Sequence, residues 1–213
     1  MTTELICILD RSGSMEGLES DTIGGFNAFI EDQLKQEGNL RLTTILFDHE
    51  ITLLHDRLDL KAVNKLNRDD YFVRGSTALY DAIGFGINKI KAVQESTSKK
   101  YKADKVIVLI TTDGMENASR EFCIIDIKKL IKAQEEMGWE FIFLGANIDA
   151  REVADDMGIR KDRAATFMND SQGINLNYQI LSKNVSKMRM NEEISADWSQ
   201  EIEDDMKKRN GKN

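Results

Sequence analysis

Residues 4–14 read ELICILDRSGS: an apolar run from Glu4 to Leu9 is halted by Asp10 and followed at once by Ser12, Gly13 and Ser14. A run of that length, bounded by a charge and then by small polar residues, is the pattern of a short strand buried in a sheet. It places a loop rich in side-chain oxygens at the strand's carboxyl end. A second run, Val106 to Ile110, is the most apolar in the chain and closes on Thr111-Thr112-Asp113-Gly114. Two buried strands therefore each end at an aspartate.

Working outward, Ile23, Phe26, Ile30 and Leu34 recur at helical spacing, with Gly38 as the stop. Leu40 to Phe47 and Ile51 to Leu54 read as two strands joined through Asp48-His49-Glu50, a link short enough for an antiparallel hairpin at a sheet edge. Leu79, Ile83, Ile87 and Ile90 place a stripe on a helix starting near Thr77. Ser119 precedes a helix carrying Ile124, Ile127, Ile131 and Met137, and Gly138 ends it. Phe141 to Leu144 is a further buried strand, Asp149 caps a short helix ending at Gly158, and Ala164 to Met168 is the last strand. Ile174, Tyr178, Leu181, Val185 and Met188 form one face of a final helix. Helices alternating with buried strands predict an α/β fold: a doubly wound, mostly parallel six-stranded sheet with one antiparallel edge strand and helices on both faces. Residues 1–190 read as one domain. Residues 191–213 read as a charged tail, with Trp198, Ile202 and Met206 at helical spacing but too little apolar surface to make the segment necessary for folding.

Composition narrows the function. A net charge of -8 over 213 residues repels a phosphate backbone, so no nucleic-acid partner is expected. The apolar runs fall far short of the ~20 residues that cross a bilayer, so no membrane role is expected either. The opening Met-Thr-Thr-Glu-Leu lacks a basic leader, which points to the cytoplasm. Cys7 and Cys123, too few for a disulfide framework, read as reduced, buried small apolar residues. His49 and His55 read as surface residues without a role, and Gly84-Phe85-Gly86, lying inside a helix, as packing.

The chemistry lies in Asp10, Ser12 and Ser14, spaced D-x-S-x-S, together with Thr77 at a helix start and Asp113 at a strand end. If these strands are neighbours, three hydroxyls and two carboxylates converge, and a hard cation with octahedral preference suits them: Mg²⁺, with Mn²⁺ close behind. Hydroxyls next to the ion, with carboxylates orienting its water, leave the ion attractive to one more anion, such as an Asp or Glu of a partner protein. Glu116 and Asn117 are second-rank candidates for the rim.

These residues carry a resemblance. D-x-S-x-S from Asp10, GSTALYDA from Gly75 and TDG from Thr112 resemble the metal-ion-dependent adhesion site of von Willebrand factor A domains, and the order of elements over roughly 4 to 190 is similar too. The resemblance implies that Ser12, Ser14 and Thr77 ligate a divalent ion directly or through water, that Asp10 and Asp113 hold its water shell, and that the sheet is Rossmann-like. It implies a binding module rather than an enzyme. The competing reading is a metal-dependent phosphotransferase with Asp10 as nucleophile, but the haloacid-dehalogenase type requires a second carboxylate two residues later, where this chain has Ser12. In a third reading the cation is purely structural.

Overall fold

A computed structural model describes residues 1–210. Six runs of mainly apolar residues pair into one sheet: β1 (Thr2–Asp10), β2 (Asn39–Phe47), β3 (Ile51–Asp59), β4 (Lys105–Thr112), β5 (Glu140–Ala146) and β6 (Ala164–Phe167). Their order is β3-β2-β1-β4-β5-β6, and only β3 runs antiparallel. The doubly wound sheet with one antiparallel edge strand is thus as the sequence predicts. Among the described residues six α-helices flank it: α1 (Glu19–Leu34), α2 (Leu79–Ser96), α3 (Ile124–Glu136), α4 (Ala150–Met157), α5 (Ser171–Arg189) and α6 (Gln200–Asn210).

Alternation along the strands divides the apolar residues between two faces. Leu5, Cys7 and Leu9 join Phe26, Phe29 and Ile30 of α1 and Ile174, Leu181 and Val185 of α5. Ile6 and Ile8 pack on the opposite face with Ile83 and Ile87 of α2, Ile127 and Ile131 of α3 and Ala154 of α4. On the first face α1 and α5 come close because Gly25 has no side chain: a Cβ there would lie 2.1 Å from the Tyr178 ring. Gly158, at φ 90°, ends α4 in the left-handed conformation that glycine tolerates best.

Some local details depart from the sequence reading. Helix α2 starts at Leu79, near Thr77 as expected, and α3 follows Ser119 with Cys123 as its cap, but Met137 of its expected stripe lies just beyond α3 and is exposed. Cys123 is exposed, since it occupies that cap with its thiol on Asp126 Oδ2, while Cys7 is buried; both are free thiols. His55 is not a surface residue: it is buried on β3, its Nδ1 3.0 Å from Thr44 Oγ1, and burial lowers its pKa. His49 is about half exposed, as expected. Gly84 and Gly86 are packing residues, against Phe122 and Ile45. Buried Glu4, at the start of β1, is compensated by Arg57 Nη2 at 2.5 Å.

The largest departure is at the C-terminus. Ile194, Trp198 and Ile202 are buried in the cluster shared with α1 and α5, and Trp198 Nε1 donates to Asp162 O at 2.7 Å. Helix α6 packs against the edge strand β6 and against α5. The sequence reading undercounts this segment because Ile194, Trp198 and Ile202 fill a site supplied by the rest of the fold, while Met206 is only partly buried. Trp198→Ala should therefore cost about 3 kcal/mol in urea unfolding; a loss below about 0.5 kcal/mol would restore the reading of a dispensable tail. Gly25→Ala should cost about 1–3 kcal/mol by overpacking against Tyr178, read in the same experiment, and an unchanged midpoint would contradict that contact.

Candidate functional site

The sheet order reverses between β1 and β4, and the connections from these two strands leave on opposite faces, which opens a crevice at their carboxyl ends. The parallel register sets Leu9 beside Thr111, so Asp10 and Asp113 both emerge into that crevice. All five candidate residues come together there. Ser12 N donates to Asp10 Oδ1 at 2.7 Å, folding the loop after β1 back on its own aspartate. Ser12 Oγ lies 3.2 Å from Ser14 Oγ, and Ser14 Oγ donates to Asp113 Oδ1 at 2.5 Å. Thr77 arrives from a third loop. A Cβ on Gly114 would sit 3.5 Å from Ser14 Oγ and 3.6 Å from Thr77 Oγ1, which ties both hydroxyls to one small volume. Asp10, Ser12, Thr77 and Asp113 are buried; Ser14 is exposed and marks the open side.

Each loop is braced by backbone bonds. Gly13 N donates to Gly75 O at 3.0 Å, and Arg74 N to Arg11 O at 3.0 Å, joining the first loop to the segment before Thr77. Thr77 N donates to Asn117 Oδ1 at 2.9 Å, while Asn117 N and Ala118 N donate back to Thr77 O. Glu116 accepts from Tyr80 N, Ala118 N and Ser119 N. The two rim candidates thus act as braces of the Thr77 loop.

The electrostatics set Asp10 and Asp113 apart. Burial pushes the Asp10 carboxyl above the usual carboxylate range, against donors from Thr112 and Ser12 that pull it back. Burial raises Asp113 too, partly offset by Ser14 and Asn169. Among the described residues neither carboxylate is in an ion pair. Asp48, equally buried, differs: Arg11 Nε and Arg74 Nε both reach its Oδ2, at 2.8 and 2.9 Å. Asp48, His49 and Glu50 lie close enough to suggest a metal cluster, but Arg74 also holds Glu50, so the charge there is already matched. The oxygen-only set around Asp10 and Asp113 has uncompensated negative charge, neutral hydroxyls and an open side, and a hard divalent cation fits it.

Sequence reasoning missed several contributors. Thr112 Oγ1, fully buried, donates to Asp10 Oδ2 at 2.6 Å, so both oxygens of that carboxylate are engaged. Tyr71 OH donates to Asp10 O at 2.5 Å. Asn169 Nδ2 donates to Asp113 Oδ2 at 2.9 Å, and Asn147 Nδ2 to Asp113 O at 3.3 Å. Asn147 and Asn169 follow the carboxyl ends of β5 and β6, where ligands of such sheets gather, and that position was the available signal. Nothing local singles out Tyr71.

Comparison with known proteins bears on the fold. A search of curated proteins by sequence returns no match. Among solved structures, the pilus adhesin SpaC from Lactobacillus rhamnosus GG superposes with a TM-score of 0.64 at 12% identity, over 87% of this chain and 30% of that one. Proximal thread matrix protein 1 from the mussel byssus, solved with a zinc-occupied MIDAS motif, gives 0.58 at 11% identity, over 86% and 46%. The manganese-loaded Plasmodium vivax TRAP protein gives 0.56 at 15% identity, over 82% and 72%. The chain spans about half the length of the mussel protein or less of the adhesin, and at these identities the likeness shows the fold alone. The model of the von Willebrand factor type A domain matches residues 4–180. With that match over most of its length, on this sheet order, the chain belongs to the von Willebrand factor type A domain family.

Proposed function

We propose that the protein is a divalent-cation-dependent protein-binding module. Ser12, Ser14 and Thr77 would hold a Mg²⁺ ion, or Mn²⁺, Asp10 and Asp113 would orient its water, and an Asp or Glu of a partner protein would complete its coordination. The observation that carries this reading is the buried pair Asp10 and Asp113, supplied with neutral donors and no cationic side chain among the described residues. A bound cation would supply the missing charge and a Lewis-acidic position for an incoming carboxylate. Exposed Ser14 leaves that approach open. The zinc- and manganese-containing relatives support a divalent ion in this fold without identifying it here.

Catalysis by Asp10 is the weaker reading. An attacking carboxylate needs a free oxygen facing substrate, whereas both Asp10 oxygens accept hydrogen bonds and the residue is 2% exposed. A purely structural cation is separated from the proposal by partner binding. Calorimetry should find one Mg²⁺ or Mn²⁺ per chain, and Asp10→Ala or Asp113→Ala should weaken it at least about tenfold; unchanged affinity in both variants contradicts the proposal. A partner captured in Mg²⁺ should lose a factor of roughly thirty or more in affinity on chelation, with a single acidic residue of the partner responsible. Equal binding without metal would make the cation structural.

A pH dependence follows with a defined sign. Burial raises both folded-state pKa values, so the ionised pair destabilises the metal-free fold at neutral pH, and protonation relieves the same charge that a cation would. Stabilisation by Mg²⁺, measured as the melting temperature with metal minus that with chelator, should be greatest near neutrality and fall away as pH drops through the raised folded-state pKa values of the pair. A pH-independent difference would show that these carboxylates are not the ones involved.

A further inference from the structure

We infer that Asn169 is a positioning residue for this site and that the C-terminal helix α6 holds Asn169 in place, an inference that rests on the metal-binding reading above. Asn169 stands in the turn from β6 to α5, immediately before Asp170, the N-cap of α5. Its Nδ2 donates to Asp113 Oδ2 at 2.9 Å while Ser14 Oγ donates to Oδ1 at 2.5 Å, so each oxygen of the Asp113 carboxylate has one donor and its rotation is fixed. The amide cannot be turned around without setting its own oxygen against the carboxylate. In the orientation that serves Asp113, Asn169 Oδ1 is buried with no partner among the described residues. An unpaired buried acceptor is unfavourable. The side chain thus keeps its donor on Asp113 at a cost to its own hydrogen bonding.

The turn that carries Asn169 is tightly wound and held from its far side. A Cβ on Gly173 would lie 2.0 Å from Met168 O, and Asp170 Oδ1 caps Gly173 N at 2.9 Å. The other oxygen of Asp170 takes Arg209 Nη1 of α6 at 2.5 Å, and Arg209 Nη2 also binds Asp205. Asp205 in turn accepts from Gln172 Nε2 at 2.7 Å. Polar contacts therefore run from α6 to Asp170, and Asp170's chain neighbour Asn169 carries the contact to Asp113. Helix α6 lies beyond the residues matched by the family model. Outer contacts that orient a metal site's carboxylates typically change metal affinity by 10- to 100-fold when removed.

The test is calorimetric titration of the full chain with Mg²⁺ alone, for the unmodified protein, Asp113→Ala, Asn169→Ala and Arg209→Met, with each melting temperature recorded in chelator. Asn169→Ala should bind Mg²⁺ about tenfold or more weakly with its chelator melting temperature little changed, and Arg209→Met should weaken binding in the same direction by less. Because Arg209 is a part-exposed residue of α6, outside the turn itself, its variant carries the test if Asn169→Ala fails to fold. Wild-type affinity in Asn169→Ala, alongside loss in Asp113→Ala, overturns the inference and leaves the metal reading standing. An affinity loss fully matched by a lowered chelator melting temperature overturns it as well, since Asn169 would then be a folding residue only. Absence of Mg²⁺ uptake by the unmodified chain overturns the metal reading and this inference with it.

Discussion

The structure turns on two carboxylates, Asp10 and Asp113, buried at the ends of adjacent parallel strands with hydroxyl and amide donors but, among the described residues, no positive side chain paired to them. Buried charge is tolerated when it is paired, and this chain pairs it elsewhere: Glu4 with Arg57, and Asp48 with Arg11 and Arg74. Asp81, at the start of α2, is satisfied differently, by backbone N–H groups of Arg120, Glu121 and Phe122. Among the described residues, the β1/β4 crevice is where two buried acids stand near each other with neutral partners. Three hydroxyls fill out the same small volume, a set that suits the proposed cation.

The fold supplies this geometry with little freedom. Parallel pairing of β1 with both β2 and β4 sets the depth at which Asp10 and Asp113 emerge, and the change of winding direction between β1 and β4 keeps helices from covering the spot. Thr77, far from both in sequence, is fixed by the loop after β4 through Asn117 and by Asp48 O, which accepts from Ala78 N at 2.8 Å. The guanidinium-bridged Asp48 is thus part of the scaffold that delivers Thr77. On the far side, Asn147 and Asn169 grip Asp113 from the ends of β5 and β6, so loops after five of the six strands converge on the site.

Much of this was legible in the sequence because the signals are local. Apolar runs halted by Asp10 and by Thr112-Asp113 mark buried strands and their carboxyl ends, and the helical stripes assign the layers. What was not legible depends on partners distant along the chain. Tyr71, Asn147 and Asn169 are polar loop residues whose importance lies entirely in what faces them. His55 reads as a surface residue until the edge hairpin places it against Thr44. Trp198 and Ile202 look isolated among charges, and become core residues only because α1, α5 and β6 leave a site for them. Exposed Cys123 was misjudged for a related reason: residue type favours burial, but a helix cap sets its position at the surface.

The most direct measurement is a crystal structure of the full chain grown with Mn²⁺, with diffraction recorded at the manganese absorption edge. One anomalous peak per chain should lie among Ser12 Oγ, Ser14 Oγ and Thr77 Oγ1, at the roughly 2.0–2.3 Å separations of hard cations and oxygen ligands, with Asp10 and Asp113 outside the direct shell. A peak at Asp48, His49 and Glu50 instead, or none in the β1/β4 crevice at saturating Mn²⁺, would contradict the assignment of the site.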